Sequence, residues 1–217
     1  MDMIPANISE SLIAVGQGFY SRGWALGTSG NLSAVVDRNP LRLALTVSGV
    51  DKGKLTPDQL LVIDESQNVI HGTGCPSAEA QLHLTVARLK GAGAVLHTHS
   101  VWSSILSEMD GDHSGLTIEG YEMLKGLEGI ESHNHREWLP ILENSQDYEA
   151  LARNVERVLT DHPDSHGFLL RRHGLYTWGR DVAEAKRHVE ILEFLMEVMG
   201  RMACAPERGR GQENGHS

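Results

Sequence analysis

Two histidines separated by one residue end a short apolar segment, Ala94-Val95-Leu96-His97-Thr98-His99. A segment of this kind is typical of a buried β-strand, in which successive side chains point to opposite faces. His97 and His99 then project from one face and Thr98 from the other. Neutral imidazoles suit zinc, which binds nitrogen at about 2.0–2.1 Å and needs a third protein ligand. The pair therefore predicts zinc binding, with two ordinary polar residues at the end of a strand as the alternative.

One further histidine has a suitable position for the third ligand. His173 lies between two apolar segments, at a turn that contains glycine. Cys75 and Cys204 are the only cysteines and stand far apart in the sequence, which excludes a cysteine-rich zinc site. Any metal must therefore be held by histidines and carboxylates. A second His-x-His pair, His133 and His135, has no apolar strand before it, and we expect these two residues in a solvated loop.

Three glutamates lie where such a site could use them. Pro76-Ser77-Ala78-Glu79 predicts the start of a helix that leads back into the histidine strand, so that Glu79 can reach the same site. The alternative is a surface pair with His83, which is four residues further along the helix. Glu119 and Glu122 lie three residues apart in a moderately apolar segment. A carboxylate in such surroundings can have a raised pKa and act as a general acid or base, although most such glutamates are exposed.

Two turns rich in glycine and small residues could bind an anion. Residues 27–33 read Gly-Thr-Ser-Gly-Asn-Leu-Ser, and residues 48–53 read Ser-Gly-Val-Asp-Lys-Gly. Backbone N–H groups in such turns can approach a ligand closely and form an anion-binding concavity. Two successive turns of this type predict a phosphate cradle, with Lys52 as its point charge. Neither turn matches the nucleotide-binding glycine motifs, and plain connections between elements are the alternative.

Periodic apolar residues predict the elements that must position these groups. Apolar residues at helical spacing occur at the start of the chain and again before and after the strand that contains His97. Short apolar runs between these helices predict strands. The expected helices cover residues 8–19, 76–89, 100–108, 147–159 and 182–203. The expected strands cover residues 32–37, 42–47, 60–64, 69–71, 94–99, 116–118, 138–142, 168–170 and 175–178. The sequence shows no internal repeat and no linker between domains.

Length and charge limit the class of protein. A chain of 217 residues accommodates one domain, which we expect over residues 1–205, followed by a polar, glycine-rich and disordered tail over 206–217. The formal charge of −10 repels a phosphate backbone and argues against nucleic acid as a partner. No apolar run is long enough to span a membrane, and the N-terminus does not resemble a signal peptide. We therefore expect a cytoplasmic protein without a membrane partner.

Five motifs in this order resemble the class II aldolase and adducin-head family over about residues 8–202: Gly30-Asn31, Ser48-Gly49, Pro76-Ser77-x-Glu79, His97-Thr98-His99 and Arg172-His173-Gly174. The resemblance implies a three-layer α/β/α fold with a mainly antiparallel central sheet. It implies a homotetramer with active sites near the subunit interfaces. It also implies one zinc ion per subunit, held by His97, His99 and His173, with Glu79 as a metal ligand or acid–base group.

Three longer segments are similar to one branch of that family: residues 122–126, 140–144 and 170–179. Members of this branch remove water from 5-methylthioribulose 1-phosphate in methionine salvage and give 2,3-diketo-5-methylthiopentyl 1-phosphate. The resemblance implies a zinc-dependent hydro-lyase in which Glu122 is the acid–base group. Ala78 departs from the family, because aldolases often have a second serine there. The family's phosphate cradle falls on Gly30, Asn31, Ser48, Gly49, Ser77 and, as a weaker addition, Lys52.

Two other functions are compatible with the same framework. A class II sugar-phosphate aldolase or a pentulose-phosphate epimerase would share the metal and the cradle, but these relatives have no obvious counterpart of the segment around Glu122. A non-catalytic interaction module like the adducin head would need a degraded metal site, whereas all three histidines are present here.

Overall fold

A computed structural model describes residues 4–109 and 114–205. Five α-helices and nine β-strands lie in these ranges. The helices are α1 (Ala6–Ser21), α2 (Ala80–Lys90), α3 (Val101–Met109), α4 (Tyr148–Asp161) and α5 (Val182–Ala203). The strands are β1 (Asn31–Arg38), β2 (Leu41–Thr46), β3 (Leu60–Ile63), β4 (Val69–His71), β5 (Ala94–Thr98), β6 (Gly115–Glu119), β7 (Arg136–Leu142), β8 (Gly167–Leu170) and β9 (Gly174–Gly179).

The described strands form one mixed sheet in the order β4-β3-β2-β1-β5-β9-β8-β7-β6. Neighbouring strands are antiparallel except for β7 and β8, which run parallel. Parallel neighbours need a crossover connection, and α4 provides it between these two strands. The predicted α/β domain is confirmed, whereas the sheet that we expected to be mainly antiparallel is mixed because of this crossover.

The sheet lies between two layers of helices. Alternate residues of a strand point to opposite faces, so that Leu43 packs with α2 and α4 while Ala44 packs with α1 and α5. On β5, Val95 points to the first layer, and Ala94 and Leu96 point to the second. α3 packs beside α5 in that second layer. β5 lies in the middle of the sheet, so helices cover it on both faces and its histidine end lies between the two layers.

Element boundaries agree with the predictions to within a few residues. α5 covers the predicted residues 182–203, and the side chain of Asp147 caps the start of α4. α1 begins at Ala6, two residues before the predicted start of this helix at residue 8. Within the described ranges, no helix is long and apolar enough to cross a membrane. The tail that we expect over 206–217 lies outside the described residues.

Candidate active site

The three histidines selected from the sequence converge at one point. His97 is on β5, His99 follows directly after it, and His173 lies in the turn between β8 and β9. Their Nε2 atoms are separated by 2.8 Å between His97 and His99, 3.1 Å between His99 and His173, and 3.3 Å between His97 and His173. The antiparallel pairing of β5 with β9 explains this grouping, because it places Leu175 opposite Thr98 and brings the start of β9 to the end of β5.

Hydrogen bonds outside the cluster orient two of the rings. His97 Nδ1 donates to the carbonyl oxygen of Leu175 at 2.9 Å. His173 Nδ1 donates to Asn144 Oδ1 at 3.3 Å. A hydrogen bond at one ring nitrogen fixes the tautomer and leaves the other nitrogen free to bind a cation. The Nε2 atoms of His97 and His173 therefore face the centre of the cluster as acceptors.

Two glycines allow the backbone to pass close to the histidines. A Cβ atom on Gly174 would collide with the carbonyl oxygen of Thr98 and would lie 3.0 Å from the ring of His97. Gly30 has a φ angle of +71°, which favours glycine, and a Cβ atom there would lie 2.7 Å from the carbonyl oxygen of His97. Larger side chains at either position would displace the strand that carries the histidines.

The three imidazoles are neutral at neutral pH. Burial lowers the pKa of His97 well below its ordinary value, and the neighbouring His99 and His173 lower it further. Burial, His173 and Lys52 lower the pKa of His99 to about 4. Burial also lowers the pKa of His173, against the opposing effect of Glu79. Neutral imidazole is the form that binds metals, and the nitrogen separations are compatible with zinc–nitrogen distances of about 2.0–2.1 Å. The donor set therefore fits a zinc ion.

Glu79 lies beside this cluster, at the N-cap position of α2. Its carboxylate oxygens are 3.3 Å from His173 Nε2 and 3.6 Å from His97 Nε2. Its side chain is 10% exposed, so it is accessible to a ligand without being surrounded by solvent. This position suits either of the roles that the family resemblance implies, a metal ligand or an acid–base group.

A chain of polar side chains orients Glu79. Asn31 donates through Nδ2 to Glu79 Oε2 at 2.6 Å and accepts through Oδ1 from His83 Nε2. The hydroxyl of Ser33 donates to His83 Nδ1 at 2.7 Å. Burial lowers the pKa of His83 to about 3, so its neutral ring can donate at one nitrogen and accept at the other. His83 is fully buried, and the alternative of a surface pair between Glu79 and His83 is therefore wrong.

A cavity of about 370 Å³ opens beside the histidines. Both glycine-rich turns contribute to its wall, and Glu79, His99 and His173 line it as well. The residues that we expect to bind phosphate all line this cavity: Gly30, Asn31, Ser48, Gly49, Lys52 and Ser77. A phosphate group bound by the turns would therefore adjoin the candidate metal centre.

Lys52 provides a buried cation in this wall. Its residue is 1% exposed, and Nζ donates to the carbonyl oxygens of Val50 at 2.9 Å and Thr28 at 3.2 Å. Burial lowers the pKa of Lys52 to about 8, although the nearby Asp51 opposes the shift. An ammonium group has three hydrogens to donate, so one is left for an anion in the cavity.

Glu122 lies on the surface, outside the cavity of its own chain. Its side chain is 73% exposed, and among the described residues that line the cavity neither Glu122 nor Glu119 occurs. A hydrogen bond from Lys125 at 2.8 Å lowers the pKa of Glu122. The raised pKa considered from the sequence is therefore wrong for this chain taken alone. Glu119 is also exposed and lies 3.6 Å from Arg136.

Sequence reasoning missed groups that come from distant parts of the chain. Asn144, Gln146 and Tyr148 follow β7 and line the cavity, yet no periodic pattern marks them. On the other face of β5, the hydroxyl of Thr98 donates to Glu193 of α5 at 2.7 Å. The only sequence signal for these residues is that Asn144 ends a segment, 140–144, that is similar to the dehydratase branch.

The expectation of a solvated loop is wrong for one histidine of the second His-x-His pair. His135 is partly buried, and its Nε2 lies 2.9 Å from Glu137 Oε2. His166 Nδ1 lies 2.9 Å from the same oxygen. His133 is exposed as expected, with 55% of its side chain accessible. The chain therefore contains a second group of His and Glu side chains that could hold a metal ion.

Comparison with known proteins identifies the class to which this fold and site belong. The sequence matches the family described as Class II Aldolase and Adducin N-terminal domain over residues 10–199, and the chain belongs to this family. Its structure resembles YgbL from Escherichia coli with a TM-score of 0.77 and 25% identity, covering 92% of this chain and 91% of that one. It also resembles L-fuculose-1-phosphate aldolase from Thermus thermophilus, with a TM-score of 0.73 and 24% identity over 91% and 96% of the two chains.

More similar sequences carry the name methylthioribulose-1-phosphate dehydratase. The protein of that name from Marinobacter nauticus is 39% identical over 193 residues, which cover 88% of this chain and 92% of the relative. The one from Yersinia enterocolitica is 42% identical over 188 residues, covering 86% and 88%. These relatives confirm the resemblance to the dehydratase branch and the prediction that the chain is an enzyme of the lyase class.

Proposed function

We propose that this enzyme removes water from 5-methylthioribulose 1-phosphate and produces 2,3-diketo-5-methylthiopentyl 1-phosphate in methionine salvage. The observation that carries the proposal is a cavity lined by Glu79, by two small-residue turns and by two of the three clustered histidines, His99 and His173. A sugar phosphate needs such a combination, because the turns can bind the phosphate while the other groups act on carbons two to four. The dehydratases at about 40% identity supply the choice of reaction within this framework.

The metal of this site is proposed to be one zinc ion per subunit, held by His97, His99 and His173. When bound, zinc would supply a Lewis acid, which would make the C3 proton beside the C2 carbonyl group more acidic. Three histidine ligands with an open position are a common arrangement for catalytic zinc. The burial that keeps these imidazoles neutral supports this assignment.

The remaining residues bind the phosphate and transfer protons. Backbone N–H groups of the turns at Gly30 and Gly49, with the ammonium group of Lys52, would hold the phosphate and place C3 and C4 near the histidines. The reaction takes a proton from C3 and gives one to the hydroxyl that leaves C4, and the resulting enol becomes the diketone when C4 takes up a proton and the C3 hydroxyl loses one. Glu122 gives the proton to the leaving hydroxyl, and either Glu79 or Glu122 takes the proton from C3. General acid–base catalysis of this kind is worth about 10²–10⁴ in rate.

We propose further that Glu122 acts in the active site of a neighbouring subunit of a homotetramer. Within its own chain Glu122 is exposed and lies outside the cavity. The family resemblance implies active sites near subunit interfaces, where an exposed side chain of one subunit can complete the site of the next. Removal from water at such an interface would also raise the pKa of this carboxylate towards the value that an acid catalyst needs.

The reaction is tested by analysing the products of purified, zinc-loaded protein incubated with 5-methylthioribulose 1-phosphate. We expect a product lighter by one water, with the absorbance of a diketone, and no product after chelation of the metal or with a His97→Asn variant. A three-carbon phosphate together with an aldehyde would instead show cleavage between C3 and C4, which is aldolase chemistry. Unchanged substrate in the presence of bound zinc would refute the proposed substrate.

The role of Glu122 is tested by mixing two inactive variants. Glu122→Gln should bind zinc normally and lose dehydration, and His97→Asn should lose the metal. If each site takes its histidines from one subunit and Glu122 from another, co-expressed variants should form mixed tetramers with roughly a quarter of the parent activity. No recovery in mixed tetramers would place Glu122 in the site of its own chain, and full activity of Glu122→Gln would remove it from the mechanism.

A further inference from the structure

A second group of metal-ligand side chains lies away from the candidate active site. His135 Nε2 and His166 Nδ1 are each 2.9 Å from the same carboxylate oxygen, Glu137 Oε2. Glu137 is buried, with 1% of its side chain exposed, whereas His135 and His166 are 25% and 14% exposed. None of these residues lines the active-site cavity among those that the structure describes there.

The backbone explains why these three side chains converge. His135 and Glu137 are two residues apart at the start of β7, so their side chains point to the same face. β8 runs parallel to β7 and begins directly after His166, which brings this residue beside Glu137. The backbone N–H of His166 also donates to Glu137 Oε1 at 2.9 Å. One carboxylate oxygen is thereby occupied, and the other is left to the two histidine nitrogens.

The second nitrogen of His166 supports a ligand role. His166 Nε2 donates to the carbonyl oxygen of Glu128 at 2.8 Å, which leaves Nδ1 pointing at the carboxylate. Metal-binding histidines in proteins almost always donate their other N–H to a carbonyl or a carboxylate in this way. Without a metal, a proton on Nδ1 makes this 2.9 Å contact a hydrogen bond to the carboxylate, and a zinc ion would take the place of that proton. The three donor atoms lie within 4.8 Å of one another, so one cation can serve all three.

We propose that His135, Glu137 and His166 form a second zinc site that fixes the connection between β6 and β7. Two imidazoles and one carboxylate are a donor set that zinc accepts, and a cavity of about 180 Å³ lined by His135 and Glu137 gives room for a water molecule as fourth ligand. This connection covers residues 120–135, so His135 is its last residue and Glu128 lies within it. A bound ion would therefore attach the connection to β7 and β8. The same connection carries Glu122, whose position it would therefore steady.

The two sites can be separated by measuring the zinc content of variants. Tag-free parent protein, dialysed against low-micromolar free zinc and analysed by elemental mass spectrometry, should contain two zinc ions per chain. A variant that carries both His97→Asn and His99→Asn should keep one zinc ion per chain. The triple variant that also carries His135→Asn should contain no zinc. His133→Asn is the matched control, because this exposed histidine lies in the same segment outside the cluster, and it should leave the zinc content unchanged.

Thermal unfolding gives a second readout that does not depend on activity. In the His97→Asn/His99→Asn variant, zinc at about 100-fold excess over its Kd should raise Tm by roughly 5–10 °C, and Glu137→Gln or His135→Asn should abolish the rise. His135 is partly exposed, so its variant is expected to fold even if Glu137→Gln does not. The proposal is overturned if the variant lacking His97 and His99 binds no zinc, or if its zinc persists after His135→Asn. If His135→Asn removes zinc while His97→Asn does not, the second site stands and the proposed catalytic centre fails.

Discussion

Thr98, the last residue of β5, lies between His97 and His99 in the sequence. Its side chain contacts a buried glutamate of α5, in the helix layer that also contains α1 and α3. This residue, Glu193, is 2% exposed. Its Oε1 atom accepts a hydrogen bond of 2.7 Å from the hydroxyl of Thr98. Its second oxygen, Oε2, has no hydrogen-bond partner in the part of the chain that the structure describes. Burial raises the pKa of Glu193 from 4.5 to about 7, although the nearby hydroxyls of Ser100 and Thr98 oppose the shift. This carboxylate is therefore a source of pH-dependent instability directly behind the candidate metal centre.

The expected size of the effect follows from the shift in pKa. The folded state binds the proton of Glu193 more tightly than the unfolded state, because the folded pKa lies above the unfolded value. The resulting stability is fully present below pH 4.5 and is lost as the pH rises through about 7. A difference of roughly 2.5 units at 1.36 kcal/mol per unit corresponds to about 3 kcal/mol. Glu193→Gln keeps the shape and cannot ionise, so it should be about 3 kcal/mol more stable than the parent at pH 8, with the gap closing towards pH 4.5.

Chemical unfolding of the metal-free protein at a series of pH values measures this difference. Any bound metal is removed from both proteins, because acid would release it from the histidines and add its own pH dependence. Glu156→Gln is the matched control, since Glu156 is an exposed glutamate in the middle of α4, and it should change stability by less than about 0.5 kcal/mol at every pH. A gain for Glu193→Gln that does not vary between pH 5 and 8, or a loss at pH 8, would refute the reasoning.

Three further predictions concern the cavity and the histidine cluster beside it. The KM of the parent for a sugar phosphate should increase above pH 8, because Lys52 loses its charge at about that pH. The Lys52→Met variant should have a KM about 10–100-fold higher than the parent at pH 7, and this KM should not change between pH 7 and 9. Asn31→Ala removes the hydrogen bond to Glu79 and should lower kcat by about 10–100-fold in steady-state assays while zinc content is retained. Gly174→Ala should lower the free energy of unfolding by about 1–3 kcal/mol and reduce the zinc content, as measured by chemical unfolding and elemental analysis. Gly18→Ala is the control, because a Cβ atom at this position of α1 meets open space, and it should leave the zinc content unchanged and the stability equal or higher.

Local signals were sufficient to predict the elements and part of the site. The helical spacing of apolar residues predicts the extent of α5, and Asp147 marks the start of α4 through its capping side chain. The apolar run before His97 similarly identifies β5. In each case the information is contained in a few neighbouring residues, because helix and strand periodicities are local properties of the chain.

Contacts between distant segments were beyond such reasoning. Asn31 and Glu79 are separated by 48 positions, and their hydrogen bond exists only because β1 pairs with β5 while α2 packs on the same face. His135 was expected in solvent because no strand precedes it, but β7 begins directly after it and His166 lies directly before the parallel neighbour β8. A parallel pair joined through a helix leaves no sequence pattern from which its register can be read.

The charges of the cavity explain how an acidic chain can bind an anionic substrate. The chain carries a formal charge of −10, but interactions between exposed charges are screened over about 8 Å at physiological ionic strength. Groups in the cavity wall act at shorter range and in surroundings of lower polarity. His99 and His173 are neutral there, so they would not cancel the two charges of a bound zinc ion. With Lys52 charged, the cavity wall would add a positive charge to those of the zinc ion, which complements the negative charge of a phosphate group. Phosphate affinity should therefore depend on both the metal and Lys52, and little on the exposed acidic residues.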